Sequence, residues 1–134
     1  MGRTFRNQLL ELLYDLNDDL KVNLIALNTT KQLFMNGPSQ ELLKRAFNIS
    51  YHQGQKQAIE ALRNITEAEN NDQHLQHVVH RYINEFTDAS SNLNALSEQQ
   101  LASQTDLAQV IDNHYHHLGQ KQIMTQVQHL LKQY

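Results

Sequence analysis

The chain has no cysteine, no tryptophan, one proline and four glycines in 134 residues. Without cysteine there is no disulfide, no thiolate nucleophile and no cysteine-based zinc site. With so few helix breakers, long uninterrupted helices are open to the backbone. Charge is also scarce, at 19% of residues, and the apolar fraction is 40%. Gln and Asn fill the gap with 17 and 13 residues, dispersed rather than in runs. They give a polar face that hydrogen-bonds without carrying charge.

What is present is helical periodicity. Apolar residues recur every three to four positions from Phe5 to Tyr134, the pattern of amphipathic helices. No segment alternates with the two-residue period of a strand. The length suits one domain, residues 1–134, burying roughly two-thirds of its unfolded surface. The expected fold is all-α: a single-domain bundle of five to six helices. No internal repeat of fixed period is read from the chain.

The first helix is expected over about 4–28. Phe5, Leu9, Leu12, Leu13, Leu16, Leu20, Leu24 and Leu27 form one stripe. Tyr14, Val22 and Ile25 fall outside it. A short helix, Lys31 to Asn36, is expected next, closed by Gly37-Pro38. Gln40 to about Ala68 reads as one helix in a single phase through Gly54; a rival reading breaks it at Asn48-Ile49-Ser50. Asn71 or Asp72 is expected to cap a helix from Gln73 to about Thr87, with Leu75, Val78, Val79, Tyr82, Ile83 and Phe86 on its apolar face. Ser90-Ser91-Asn92 loosens that helix, and Ser97-Glu98-Gln99-Gln100 has capping-box spacing for a restart that breaks again near Thr105. Beyond it, Leu107, Val110, Ile111, His114, Tyr115 and Leu118 share one face, while Ile123, Val127, Leu130, Leu131 and Tyr134 share another. A helix end at Gly119, in the left-handed conformation, reconciles the two and is the preferred reading; the alternative is an unbroken helix buried on both sides, one of them by a partner subunit.

Charge is unevenly placed around a net of −3. Residues 31–63 hold five basic and two acidic groups; residues 64–112 hold one and eight. Eight histidines can carry the net from −3 toward +5 as pH falls through their titration range. Acidic residues Glu11, Asp15, Asp18 and Asp19 in the leucine-rich start argue against a signal peptide or membrane span there. A cytoplasmic setting is the expectation, which makes the sequons at Asn28, Asn48 and Asn64 incidental.

The histidines do not assemble a metal motif. His74, His77 and His80 lie opposite the apolar face of their helix and fan too widely for one ion. No His-x-x-x-His and no Glu-x-x-His occurs, which removes the di-iron carboxylate pattern. No metal and no cofactor is expected. His116 and His117 read as donors to a helix end before Gly119, with Asp112 four residues before His116 as its partner. His114 sits on the apolar face and is the histidine expected to be half-buried.

Three functional readings follow. The first is a non-enzymatic regulatory or protein-interaction module, a homodimer, whose partner-binding residues are Tyr14, Ile25 and Val127, outside or beyond the main core stripes. Its partner is another copy or another protein. The second is a small nucleic-acid-binding regulator using Lys44, Arg45, Lys56 and Arg63 of the basic 31–63 segment, with Gln40 to Arg63 as helix-turn-helix. In that motif Lys44 stands where a small residue is expected, and Gly54 and Gln57 stand where apolar ones are. The third rests on Arg45 and His52, whose spacing resembles the Arg-x4–6-His signature of HEPN-type helical ribonucleases. The resemblance covers eight residues and implies an acid–base pair acting on RNA at a dimer interface. The polar residue that follows the family's arginine is Ala46 here.

Overall fold

The computed structural model describes residues 4–28, 39–103 and 107–134, with the side chains of 26–28, 39–43, 90–103 and 107–108 excepted. Four helices occupy them: α1, Phe5–Asn28; α2, Ser39–Ala68; α3, Asp72–Ser103; and α4, Leu107–Leu131. There is no strand among the described residues. The fold is all-α, and the described residues form four helices, longer than those expected for a bundle of five to six. The expected helix Lys31 to Asn36 and the break near Thr105 lie outside the described residues.

The helices alternate in direction. At one end of the bundle the start of α1 meets the end of α2, the start of α3 and the end of α4. Thr4 caps α1 locally, its Oγ1 accepting from the Asn7 N–H at 3.1 Å. The Asp72 carboxylate accepts from the N–H groups of Arg6 at 2.8 Å and Phe5 at 3.4 Å, so it satisfies two further orphan donors of α1. Asn71 is the cap of α3, its Oδ1 accepting from the His74 N–H at 2.9 Å. Arg6 Nε donates to the carbonyls of Thr66 and Glu69, both at 3.2 Å, where α2 ends. Phe5 and Tyr134 pack edge to face at 5.3 Å, and the Tyr134 hydroxyl donates to Gln8 Oε1.

The core takes Phe5, Leu9, Leu13 and Leu20 from α1, and Ala58, Ile59 and Leu62 from α2. Leu75, Val79 and Ile83 come from α3, and Ile123, Met124 and Val127 from α4. These are the 3.6-period stripes of the sequence, closed on one another.

Two expected helix breaks are absent. α3 runs through Ser90-Ser91-Asn92 and Ser97 as one helix. Neither serines nor Asn forbid helix; they lower its propensity, which neighbouring turns override. α4 runs through Gly119. Its apolar residues change face there because the helix is covered on more than one side, by α2 and by α3 and α1. Gly119 is small for packing rather than left-handed for capping.

α2 and α4 make the most extensive helix–helix contact in the bundle, and they run parallel. Phe47 stacks on Tyr115 with ring centres 4.5 Å apart, and further along Gln55 Nε2 donates to Gln122 Oε1 at 2.8 Å. At the crossing a Cβ on Gly54 would stand 1.8 Å from the His116 carbonyl oxygen, and one on Gly119 would stand 1.9 Å from that of Tyr51. The two backbones touch at two glycines, each lying over the residue three before the other.

That reciprocity exposes a repeat. His52-Gln53-Gly54-Gln55-Lys56-Gln57 recurs 65 positions later as His117-Leu118-Gly119-Gln120-Lys121-Gln122. The side chains obey the same exchange: Gln55 bonds Gln122, and Gln120 Nε2 donates to Gln57 Oε1 at 3.2 Å. The α2–α4 crossing is thus built of reciprocal contacts between equivalent positions. In α1 and α3 the buried Leu9 and Leu13 precede the buried Leu75 and Val79 by 66 positions, one more than the recurrence in α2 and α4.

Candidate interaction surfaces

α1 turns Phe5, Leu9, Leu13 and Leu20 to the core, which places Tyr14, Val22 and Ile25 on its outer side. They are 69%, 65% and 63% exposed. Large apolar side chains at such exposure forgo most of the burial that stabilises a core residue, and grouped on one helix face they mark an interaction surface. Glu11, Asp15, Asp18 and Lys21 are exposed on the same side. Beside Tyr14 a groove of about 320 Å³ runs between α1 and α2, lined by Leu10, Leu13, Tyr14, Asn17, Lys21, Arg63 and Glu67. It has an apolar floor and a charged rim.

Val127, expected with Tyr14 and Ile25 as a partner residue, is 0% exposed. It belongs to the core. The face that looked surplus on an isolated α4 is covered by the other helices of the same chain.

The basic residues lie along α2. Lys44, Lys56 and Arg63 are exposed and Arg45 is half-buried. Lys56 Nζ lies 4.0 Å from Glu60 and Arg63 Nε lies 3.3 Å from Glu67, both one turn on. These acidic partners offset the local positive potential a phosphate would meet. α2 passes through Asn48-Ile49-Ser50 without a turn, so there is no helix-turn-helix in this segment. Arg45 and His52 share α2. The His52 Nδ1–H donates to Gln55 Oε1 at 2.7 Å, which ties the ring into the polar seam with α4.

That seam holds most of the remaining polar chemistry. Ser50, buried, donates to the Asp112 carboxylate, and His116 Nε2 donates to Gln57 Oε1. Asp112 and His116 are thus bonded across to α2. On one side of the seam an open groove of about 370 Å³ is lined by Tyr51, Leu118, Lys121, Gln122, Thr125 and Gln126. Partial burial there pushes the Tyr51 phenol above its ordinary pKa.

His114 is exposed, edge-on to Tyr115, so it is not the buried histidine. His117 is, at 8% exposed, with its ring stacked on Phe86 of α3 at 4.8 Å. Burial holds its pKa below the usual histidine value, and the positive charge of Lys121, with His114 and His116, acts in the same direction. Its counterpart in the recurrence, His52, is only half-buried and bonds Gln55 instead, so the recurrence does not signal the burial. His74, His77 and His80 are exposed on α3. No group of three or more His, Asp or Glu with metal-holding geometry occurs among the described residues. No helix among them is long and apolar enough to cross a membrane.

Comparison with family models, with curated proteins and with solved structures finds no match.

Proposed function

We propose that the chain is a non-enzymatic helical interaction module that self-associates through the outer face of α1. The observation that carries this reading is the placement of Tyr14, Val22 and Ile25 together on the side of α1 that the bundle leaves uncovered. The rest of the molecule fits a scaffold. His116 and the paired glutamine amides bond across the α2–α4 seam, and the deepest residues are apolar apart from Thr66, which bonds its own helix. A cytoplasmic setting suits a chain without cysteine. Nucleic-acid binding through Lys44, Arg45, Lys56 and Arg63 is the weaker reading, because Lys56 and Arg63 already face Glu60 and Glu67.

Sedimentation velocity over a concentration series tests the proposal. The native chain is expected to associate as concentration rises. The triple variant Tyr14→Ser, Val22→Ser, Ile25→Ser is expected to stay monomeric with an unchanged melting temperature. A native chain that is monomeric throughout, or a triple variant that associates equally well, overturns it. The absorbance spectrum of the purified protein reports any bound nucleic acid in the same preparation.

A further inference from the structure

The orientation of that association is written in α1, and the inference rests on the self-association reading above. Tyr14, Asp18, Lys21 and Ile25 are all exposed on α1. They follow one another at intervals of four, three and four residues. Alternating three and four is the spacing of a seam between two packed helices. The intervals read the same in both directions, and the chemistry is complementary under reversal: apolar, acidic, basic, apolar.

We propose that a second copy of this chain docks on α1 with its own α1 antiparallel, Tyr14 facing the partner's Ile25 and Asp18 facing the partner's Lys21. The two-fold axis generates each contact twice, as a closed, self-complementary interface requires. Charge selects the direction. A parallel pair would set Asp18 against Asp18 and Lys21 against Lys21. It would also superpose the acidic halves, since Glu11, Asp15, Asp18 and Asp19 all precede Leu20 and no acidic residue follows within α1. The antiparallel pair lays each acidic half over the partner's acid-free half. The groove floored by Leu10 and Leu13 shares Tyr14 and Lys21 with the seam. It offers the partner's Ile25 an apolar recess next to Tyr14.

Charge reversal tests the register on the intact chain. Asp18→Lys and Lys21→Asp are each expected to weaken self-association at least about tenfold, measured by sedimentation velocity up to about 1 mM, since a single seam gives an interface at the small end of the range. The double variant D18K/K21D restores opposite charges at both contacts and is expected to recover most of the native affinity. An equimolar mixture of the two single variants is expected to form a heterodimer. All four positions are exposed, and unchanged melting temperatures confirm that the variants fold. Association that is lost in the Tyr14, Val22, Ile25 serine triple but indifferent to both reversals overturns the antiparallel register and leaves the α1 reading standing. Single variants that weaken without recovery in the double do the same. A chain monomeric at every concentration overturns both.

Discussion

Gly54 and Gly119 sit on opposite sides of the α2–α4 crossing, and each is placed where a side chain would strike the other helix's backbone. The obstacles are the carbonyl groups of His116 and Tyr51, at distances below 2 Å from a built Cβ. A carbonyl in mid-helix cannot rotate aside as a side-chain tip does. The helices themselves would have to separate, and the Gln55–Gln122 and Gln57–Gln120 bonds would stretch with them.

Gly54→Ala and Gly119→Ala should therefore destabilise the bundle, although alanine is the better helix former by about 1 kcal/mol. The expected loss is about 1–3 kcal/mol each, the range of overpacked cores, read from urea or thermal unfolding. A gain in stability at either position would mean that the helices are not in backbone contact there.

The glycines also show where the sequence could and could not be read. α1, and α2 through Gly54, were legible because one apolar stripe ran in one phase. Gly119 was not. A glycine between two apolar faces looks the same whether it ends a helix or admits a neighbouring backbone; only the position of α2 decides. Val127 is core for the same reason, since a helix covered on two sides has no spare face. His117 rather than His114 is buried because α4 continues past Gly119 and is covered on a second side, which its own periodicity does not show. Between the two hairpins, α1–α2 and α3–α4, identity is dense only across 52–57 and 117–122. Elsewhere the hairpins share apolar positions but few residues.

His117 should make stability fall in acid. Its folded pKa is depressed, first by burial and then by neighbouring positive charge. The unfolded chain therefore binds the proton more readily than the folded one. Its contribution is fully present above the unfolded value, about 6.5, and is lost as pH falls through the lower folded value. The Tm of His117→Phe, which keeps a ring against Phe86, should depend less on pH in that window than the native Tm. Equal slopes would remove His117 as the cause.

Asp72 joins the hairpins by capping a helix other than its own. Asp72→Ala leaves the N–H groups of Phe5 and Arg6 without their acceptor and should cost about 1–2 kcal/mol. Asp72→Asn keeps an acceptor oxygen and should cost less. Amide exchange separates this from a general loss: the first turn of α1 should lose protection before the centre of α2. Uniform loss along the chain would point to a global effect.

Val127 and Ile25 provide the sharpest contrast between core and surface, because both were expected at an interface. Val127 is fully enclosed and Ile25 is 63% exposed. Truncating an enclosed side chain removes its transfer free energy and leaves a cavity, whereas an exposed one loses little on the folded side. Val127→Ala should cost roughly 2 kcal/mol of unfolding free energy and leave the dependence of mass on concentration unchanged wherever the protein remains folded. Ile25→Ala should change stability of the monomer by less than about 0.5 kcal/mol and weaken self-association. Stability measured at a concentration where the protein is monomeric keeps the two effects apart, since association itself raises apparent stability by mass action. If Ile25→Ala instead destabilises the monomer as much as Val127→Ala does, Ile25 is covered within the chain and α1 has no free apolar face to offer a partner.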